Sequence, residues 1–161
     1  VIMANSVFAK LLGQGDYLEY PAADGTSIEP GMGLERIQEG GETRVQPVST
    51  AGAESTLIAR EQRNPPRSST GNPLDQAYNP GDNVESRGFT QHEEARLRLA
   101  AGTDLATASN ATVAEGDELG WYSDGTLAKN QGNPQYEALE AVDNSGAASG
   151  DHAVITVKQQ E

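Results

Sequence analysis

One stretch, Val113-Ala-Glu-Gly-Asp-Glu-Leu-Gly-Trp-Tyr-Ser-Asp-Gly-Thr-Leu127, limits the possible folds more than any other. It sets two turn signals and the chain's single Trp in one short segment. Gly116-Asp117 is a turn that delivers Leu119 and Trp121 to one face by period-two alternation, and Asp124-Gly125 is a favoured pair for a tight hairpin reversal. The stretch therefore reads as a central hairpin. Its Asp-Gly chemistry has a structural purpose, because the Asp side chain holds its own backbone and Gly supplies the positive φ of the reversal.

The remainder of the chain is punctuated in the same way. Between Asp16 and Thr50 the apolar positions (Tyr17, Leu18, Tyr20, Ile28, Met32, Leu34, Val45, Val48) are separated by Asp24-Gly25, Pro30-Gly31 and Gly40-Gly41, all reversal signals. Thr56 to Arg60 and Ala153 to Val157 read as strands. Thr90 to Gly102 is ambiguous: Thr90 and Glu93 form a capping-box pattern, yet Ala95, Leu97 and Leu99 alternate with Glu94, Arg96 and Arg98. Alternation puts the two leucines on one side of a strand but on nearly opposite sides of a helix, so a strand is predicted. With 35% hydrophobic residues, 5% aromatic, 18 Gly and 8 Pro, short strands are favoured over long helices. The expected fold is mainly β: a compact β-barrel or sandwich of short strands with long loops and a short N-terminal arm or helix. The Gly-Asp pair recurs at Gly15, Gly81, Gly116 and Gly150, too irregularly for a solenoid and in keeping with one repeated turn type.

Two segments stand outside this pattern. Residues 1–15 form an N-terminal arm ahead of a single β-rich domain at 16–161. Ser6 is a candidate N-cap and Val7, Phe8, Leu11 and Leu12 are apolar, so a short helix or docking arm is predicted that must pack on something, its own domain or a neighbour. Residues 62–83 are a long loop without apolar pattern, of the kind that is functional or mobile in compact domains. Arg60, Arg63 and Arg67 fall in or just before it, the natural place in this chain to meet an acidic neighbouring surface by bidentate pairing.

Charge narrows the partners. Asp and Glu number 24 against 11 Lys and Arg, a net charge of −13. Sequence-independent nucleic-acid binding, which needs cations to displace counterions from phosphate, and attachment to an anionic membrane are both disfavoured. No apolar run approaches the ~20 residues of a membrane-spanning helix, so a soluble protein is expected. The absence of Cys removes disulfides, thiolate nucleophiles and zinc-thiolate sites. The acidity resembles a salt-adapted surface, whose carboxylate repulsion is screened once the Debye length falls to roughly 3 Å at molar salt.

Candidates for chemistry are few. His92-Glu93-Glu94 reads as an exposed polar strand edge, and His152 beside Asp151 as a turn histidine. No Gly-x-Ser-x-Gly elbow accompanies the histidines and serines, and no EF-hand spacing accompanies the carboxylates around Asp117, Glu118 and Asp124. No catalytic residue, metal ligand or cofactor is assigned, and an enzyme is not expected. Asn110-Ala-Thr112 is a candidate N-glycosylation sequon in a predicted turn. Tyr78 is placed to plug a barrel end, with Pro80-Gly81 turning the chain into a strand at Val84.

The order of the pieces carries a resemblance. Tyr20-Pro-Ala-Ala, Ile28-Glu-Pro-Gly-Met32, Leu57-Ile-Ala-Arg-Glu61, Ala77-Tyr78 with Gly81-Asp82-Asn-Val84, Leu99-Ala-Ala-Gly102, Gly116-Asp117-Glu-Leu119, Asp124-Gly-Thr-Leu127 and Ala138-Leu-Glu-Ala-Val-Asp-Asn-Ser-Gly146 follow one another across residues 17–157. This ordered set resembles the capsid cement, or head decoration, proteins of tailed viruses, from which the chain departs by its acidity and by the Arg/Pro/Asn insert at 62–73. The resemblance implies a small β-rich virion protein on the outer surface of an HK97-type icosahedral capsid. Its partner would be the major capsid protein, with a homo-oligomer, a trimer favoured, at local threefold positions. Joined to the acidity, it implies a virus of a halophilic archaeon. Val7, Phe8, Leu11, Leu12, Arg60, Arg63 and Arg67 are then the candidate contacts with the capsid or a neighbour. Two other readings stay open: a turret or tail component of such a virion, and a β-scaffold enzyme or carbohydrate-binding domain from a halophile. Whichever holds, salt adaptation predicts a melting temperature that falls as NaCl is removed, as a thermal melt across a salt series would show.

Overall fold

The computed structural model describes residues 6–12, 15–62 and 72–160. The chain is mainly β. Its strands are β1 (Phe8–Lys10), β2 (Tyr17–Pro21), β3 (Gly33–Glu39), β4 (Glu42–Pro47), β5 (Leu57–Ala59), β6 (Asn83–Gly88) and β7 (Glu94–Leu99). They are followed by β8 (Thr112–Val113), β9 (Glu118–Trp121), β10 (Leu127–Ala128), β11 (Tyr136–Ala138), β12 (Val142–Asp143) and β13 (Ala153–Gln159). The helical elements among the described residues are short 3-10 pieces at Pro73–Asp75, Gly102–Asp104 and Ala108–Ala111.

The first half builds a five-stranded barrel in the order β2-β6-β5-β3-β4, every neighbour antiparallel. Ala22, just past β2, closes it by a parallel bridge to Val45 of β4, and the Ala23 amide donates to the Val45 carbonyl at 2.9 Å. Ala22, Ile28, Leu34, Val45, Ala59, Tyr78 and Val84 fill the interior. Tyr78 is buried among them, its hydroxyl donating to the Arg60 carbonyl at 2.7 Å. Gly40-Gly41 turns β3 into β4 with both residues at positive φ.

The second half closes a separate ring. β7 pairs with β10, β10 with β9, β9 with β11, β11 with β13, and β13 returns to β7 over the whole length of that strand. Its filling, Leu97, Leu99, Leu119, Trp121, Leu127, Tyr136, Ile155 and Val157, belongs to a cluster that also takes in Val48, Ile58 and Leu74 from the first half. The two rings thus share apolar packing. Trp121 marks the seam: its indole N–H donates to the Ser55 carbonyl at 2.8 Å, and Gly33 of β3 lies so close that a Cβ there would sit 2.6 Å from the ring.

The central hairpin forms between β9 and β10, with Trp121 opposite Leu127. Its turn is longer than a two-residue Asp-Gly reversal. Tyr122 and Thr126 form the closing pair, the Gly125 amide returns to the Tyr122 carbonyl at 3.3 Å, and only Gly125 has positive φ, at 80°. That is the three-residue arrangement in which the glycine forms a bulge. Asp124 accepts from the Thr126 amide at 3.1 Å, holding its own backbone as the sequence implied.

Residues Glu94–Leu99 are a strand with Ala95, Leu97 and Leu99 fully buried. The capping-box pair before it serves a turn instead of a helix: Glu93 accepts from the Thr90 amide at 2.9 Å while its own amide donates to the Thr90 carbonyl at 3.1 Å. One edge of β7 is given to β13. Along the other edge, the Arg96 amide donates to Val7, the Arg98 amide to Gly31 and the Ala100 amide, just beyond, to Leu127.

The arm is a strand packed on its own domain, and the helical form that its spacing also allowed is not adopted. β1 runs antiparallel to β7, with Phe8 opposite Ala95. Val7 and Phe8 are 0% and 9% exposed, and both belong to the large core cluster. The reason is tertiary: a helix would have satisfied its own amides but left the Arg96 amide without an acceptor. Phe8 packs edge-on against Phe89 at 5.7 Å, Phe89 stacks on Tyr136 at 5.5 Å, and Tyr136 meets Trp121 edge-on at 5.2 Å. Replacing Phe8 by Ala should cost about 3 kcal/mol or more of stability, in line with other buried Phe truncations, as read by denaturant unfolding at constant salt.

Candidate contact face

The arm, the root of the long loop and the outer side of β2 converge on one face. The Val7 amide donates to Glu61 Oε2 at 2.9 Å, and the guanidinium of Arg60 lies 3.6 Å from Glu61 Oε1. Arg60 also sits 5.6 Å from the centre of the Tyr17 ring, whose hydroxyl donates to Glu85 Oε1 at 2.8 Å. Two elements singled out separately in the sequence, the arm and Arg60, are thereby joined through one carboxylate. Arg63 and Arg67 lie outside the described residues.

Exposed large apolar side chains are few. Leu11, Leu12 and Tyr17 are 54%, 57% and 40% exposed, the exposed large hydrophobics among the described residues. Val7 and Phe8, expected as contacts, are instead consumed by the protein's own core and offer almost no surface to a neighbour. The four apolar arm residues divide in two: the first pair anchors, the second pair projects.

The anchor has a polar half that the sequence did not reveal. Glu93, read as part of an exposed polar edge, is fully buried. Its carboxylate accepts from both terminal nitrogens of Arg87, at 2.8 and 3.0 Å, from the Thr90 amide and from the Leu12 amide at 3.0 Å. Burial alone would raise its pKa, but the bonds from Arg87, Thr90 and Leu12 outweigh it and hold the carboxyl at about 2. Arg87 in turn lies 4.9 Å from the Phe8 ring centre. A buried charge pair of this kind fixes where the arm turns outward, since removing either partner would strand the other without water.

A second polar cluster joins the two rings. Glu29, in the turn before β3, faces His152 at the entry to β13, with Nδ1 2.5 Å from Glu29 Oε1 and Nε2 3.5 Å from Asp124 Oδ2. The His152 side chain is 8% exposed, so it is far from the simple turn histidine expected. Asp104 lies nearby, its carboxylate engaged by Ser149 and by the Gly150 amide at 3.0 Å. Arg98, also predicted on a polar face, is 4% exposed and bonds from Nε to the Pro30 carbonyl at 2.9 Å and from a terminal nitrogen to the Leu74 carbonyl, with Glu29 at 3.8 Å. Nothing local in the sequence flags these residues, because their partners lie across the seam between the rings.

Other candidates are placed as follows. Asp117 accepts from the Ala114 amide and lies 3.8 Å from Lys129, whereas Asp124 is committed to His152. Among the described residues the one group of His and carboxylate ligand atoms close enough to share an ion is Asp104, Asp124 and His152, not Asp117, Glu118 and Asp124. Asn110 is half-buried in a 3-10 turn and accepts from Asn130 at 2.8 Å, while Thr112 of the same sequon donates to Asp143 at 3.0 Å. A cleft of about 620 Å³ is lined by Glu54, Glu118, Asn133, Pro134, Gln135 and Gln160. No aromatic ring lines it, which leaves a sugar without a stacking platform there.

The His152 cluster has a pH signature. Burial opposes its charge, but hydrogen bonds and attraction to Asp124 and Glu29 prevail, lifting the imidazole from 6.5 to about 9. A raised folded-state pKa contributes stability in full below the unfolded value of 6.5 and loses it as pH climbs through about 9. Unfolding free energy should therefore decline over that window in the native protein, with the decline much reduced in His152→Gln, as denaturant titrations at a series of pH values would show. In comparisons with known proteins, no family model matches the chain and no curated protein matches it.

Proposed function

We propose that the protein is a structural virion protein that binds the outer surface of an HK97-type icosahedral capsid and cements the shell. The observation that carries this reading is the exposed apolar surface: Leu11 and Leu12 project at the end of the arm and Tyr17 stands exposed beside Arg60, at the root of the long loop, on an otherwise acidic molecule. Small exposed apolar groups set in a charged surface are what a protein needs to hold a neighbour without aggregating on its own. The ordered resemblance to head decoration proteins and the mainly β architecture support the same reading. The partner is then the major capsid protein, and the decorating unit a homo-oligomer, with a trimer favoured at local threefold positions.

Cementing needs no reaction. A ligand that binds the assembled lattice and not the separated subunits stabilises it by RT ln(1 + [L]/Kd) at each site, and the effect is repeated over the shell. Modest contacts suffice. In this reading the buried half of the arm keeps the projecting half in register, so that Leu11 and Leu12 are presented without a large ordering cost.

The fold dictates how this is tested. Deleting the whole arm would remove Val7 and Phe8 from the core and confuse unfolding with loss of contact. Leu11→Ser with Leu12→Ser alters side chains that are more than half exposed and lie outside the core cluster, and should change stability by no more than ~0.5 kcal/mol. The double variant is expected to fall off particles on sedimentation while keeping the wild-type melting temperature; full retention on the shell would refute the assigned contact. Counting copies per particle separates the rival readings, with hundreds expected for cement, tens for a turret or tail part, and none for an enzyme or sugar-binding domain.

A further inference from the structure

The first barrel carries a recess beside its core. Tyr78, Ile28 and Val84 pack with Ala59 in the interior, and a recess of about 170 Å³ is lined by Asp16, Leu18, Arg36, Thr56, Leu57 and Gly88. Its walls are the half-buried Leu18, Leu57 and Gly88, and Asp16, Arg36 and Thr56 stand exposed around its mouth. Arg36 lies opposite Val45 and two residues from Leu34, both core residues, and Leu57 lies opposite Leu34 and Gly88. Leu18 and Leu57 are only half-buried, so aliphatic surface remains open in the recess.

Arg36 is unusual in this molecule. Acidic residues outnumber basic ones by 24 to 11, and the other arginines among the described residues each hold a carboxylate or a carbonyl. Arg36, exposed at the mouth of the recess, is the one among them whose side chain has no hydrogen bond or ion pair, although Asp16 lines the same recess. An unpaired guanidinium fork at the mouth of a recess with aliphatic walls matches a carboxylate carrying an apolar group. A phosphate fits poorly, since the Thr56 hydroxyl is the other side-chain donor and Asp16 would repel a dianion more than a monoanion.

From this geometry we infer that this recess of the first barrel is a binding site for an aliphatic carboxylate, with the carboxylate on Arg36 and the aliphatic part against Leu18 and Leu57. The ligand is either a small free acid or the C-terminal carboxylate of a polypeptide ending in an apolar residue. Asp16 at the rim weakens binding and sets its limit.

Titration of the isotopically labelled protein by NMR tests this with hexanoate as probe and hexanamide as the uncharged control. Hexanoate is expected to shift the amides of Leu18, Arg36, Leu57 and Gly88 in a saturable way. Hexanamide should bind at least roughly tenfold more weakly, the scale of one hydrogen bond to a charged group. Arg36→Gln should weaken hexanoate similarly, Arg36→Lys should retain part of the affinity, and Asp16→Asn should tighten it. A short peptide ending in a free leucine, compared with its C-terminal amide, distinguishes the two sources: tighter binding of the free peptide than of hexanoate identifies a polypeptide terminus, and the reverse identifies a small acid. Absence of saturable shifts at the recess, equal binding of hexanamide, or unchanged affinity in a folded Arg36→Gln protein would each overturn the inference. The amide control stands even if that variant fails to fold.

Discussion

The free edge of β7 governs the rest of this structure. A strand buried within a protein must pair its backbone groups on both sides, and β7 has only one full-length partner, β13. Its other edge is shared out among the Val7 carbonyl, the Gly31 carbonyl and, just past its end, the Leu127 carbonyl. One contributor is the N-terminal arm, one is a turn of the first barrel and one is the central hairpin. A single unsatisfied edge thus draws together three segments far apart in the chain, and the seam between the rings follows from it.

Charge is then placed where that seam needs it. Arg98 reaches from β7 to the carbonyls of Pro30 and Leu74, and His152 bridges Glu29 and Asp124. Arg87 and Glu93 do the same beside the arm. In a protein of net charge −13, these buried cations are committed to internal positions, so the outer surface is more acidic than the composition alone conveys. Buried pairs of this kind add little net stability over apolar packing, but each is costly to break, and they specify one arrangement of the two rings.

The legible part of the fold was local. Turn pairs located the reversals at Gly40-Gly41, Pro80-Gly81 and Asp124-Gly125, and period-two alternation identified β7 despite its helix-like charge spacing. Tyr78, singled out as a plug, is buried in the core of the first barrel. Closure of two rings was not legible, because Ala22 with Val45 and β7 with β10 are pairings that no local period encodes. The arm misled for the same reason: Val7, Phe8, Leu11 and Leu12 have helical spacing, and only the needs of a strand some ninety residues away decide between helix and strand. The contact face was half legible. Leu11, Leu12 and Arg60 were identifiable as unusual residues, but their junction through Glu61 and the loss of Phe8 to the core require three-dimensional neighbours.

The row of rings from Phe8 through Phe89 and Tyr136 to Trp121 ends on the chain's sole indole. Seating of the N-terminal strand is therefore coupled by direct ring contact to the one strongly emitting chromophore in the molecule. The protein's intrinsic fluorescence is an optical gauge of whether that strand is in place, and it needs no attached dye.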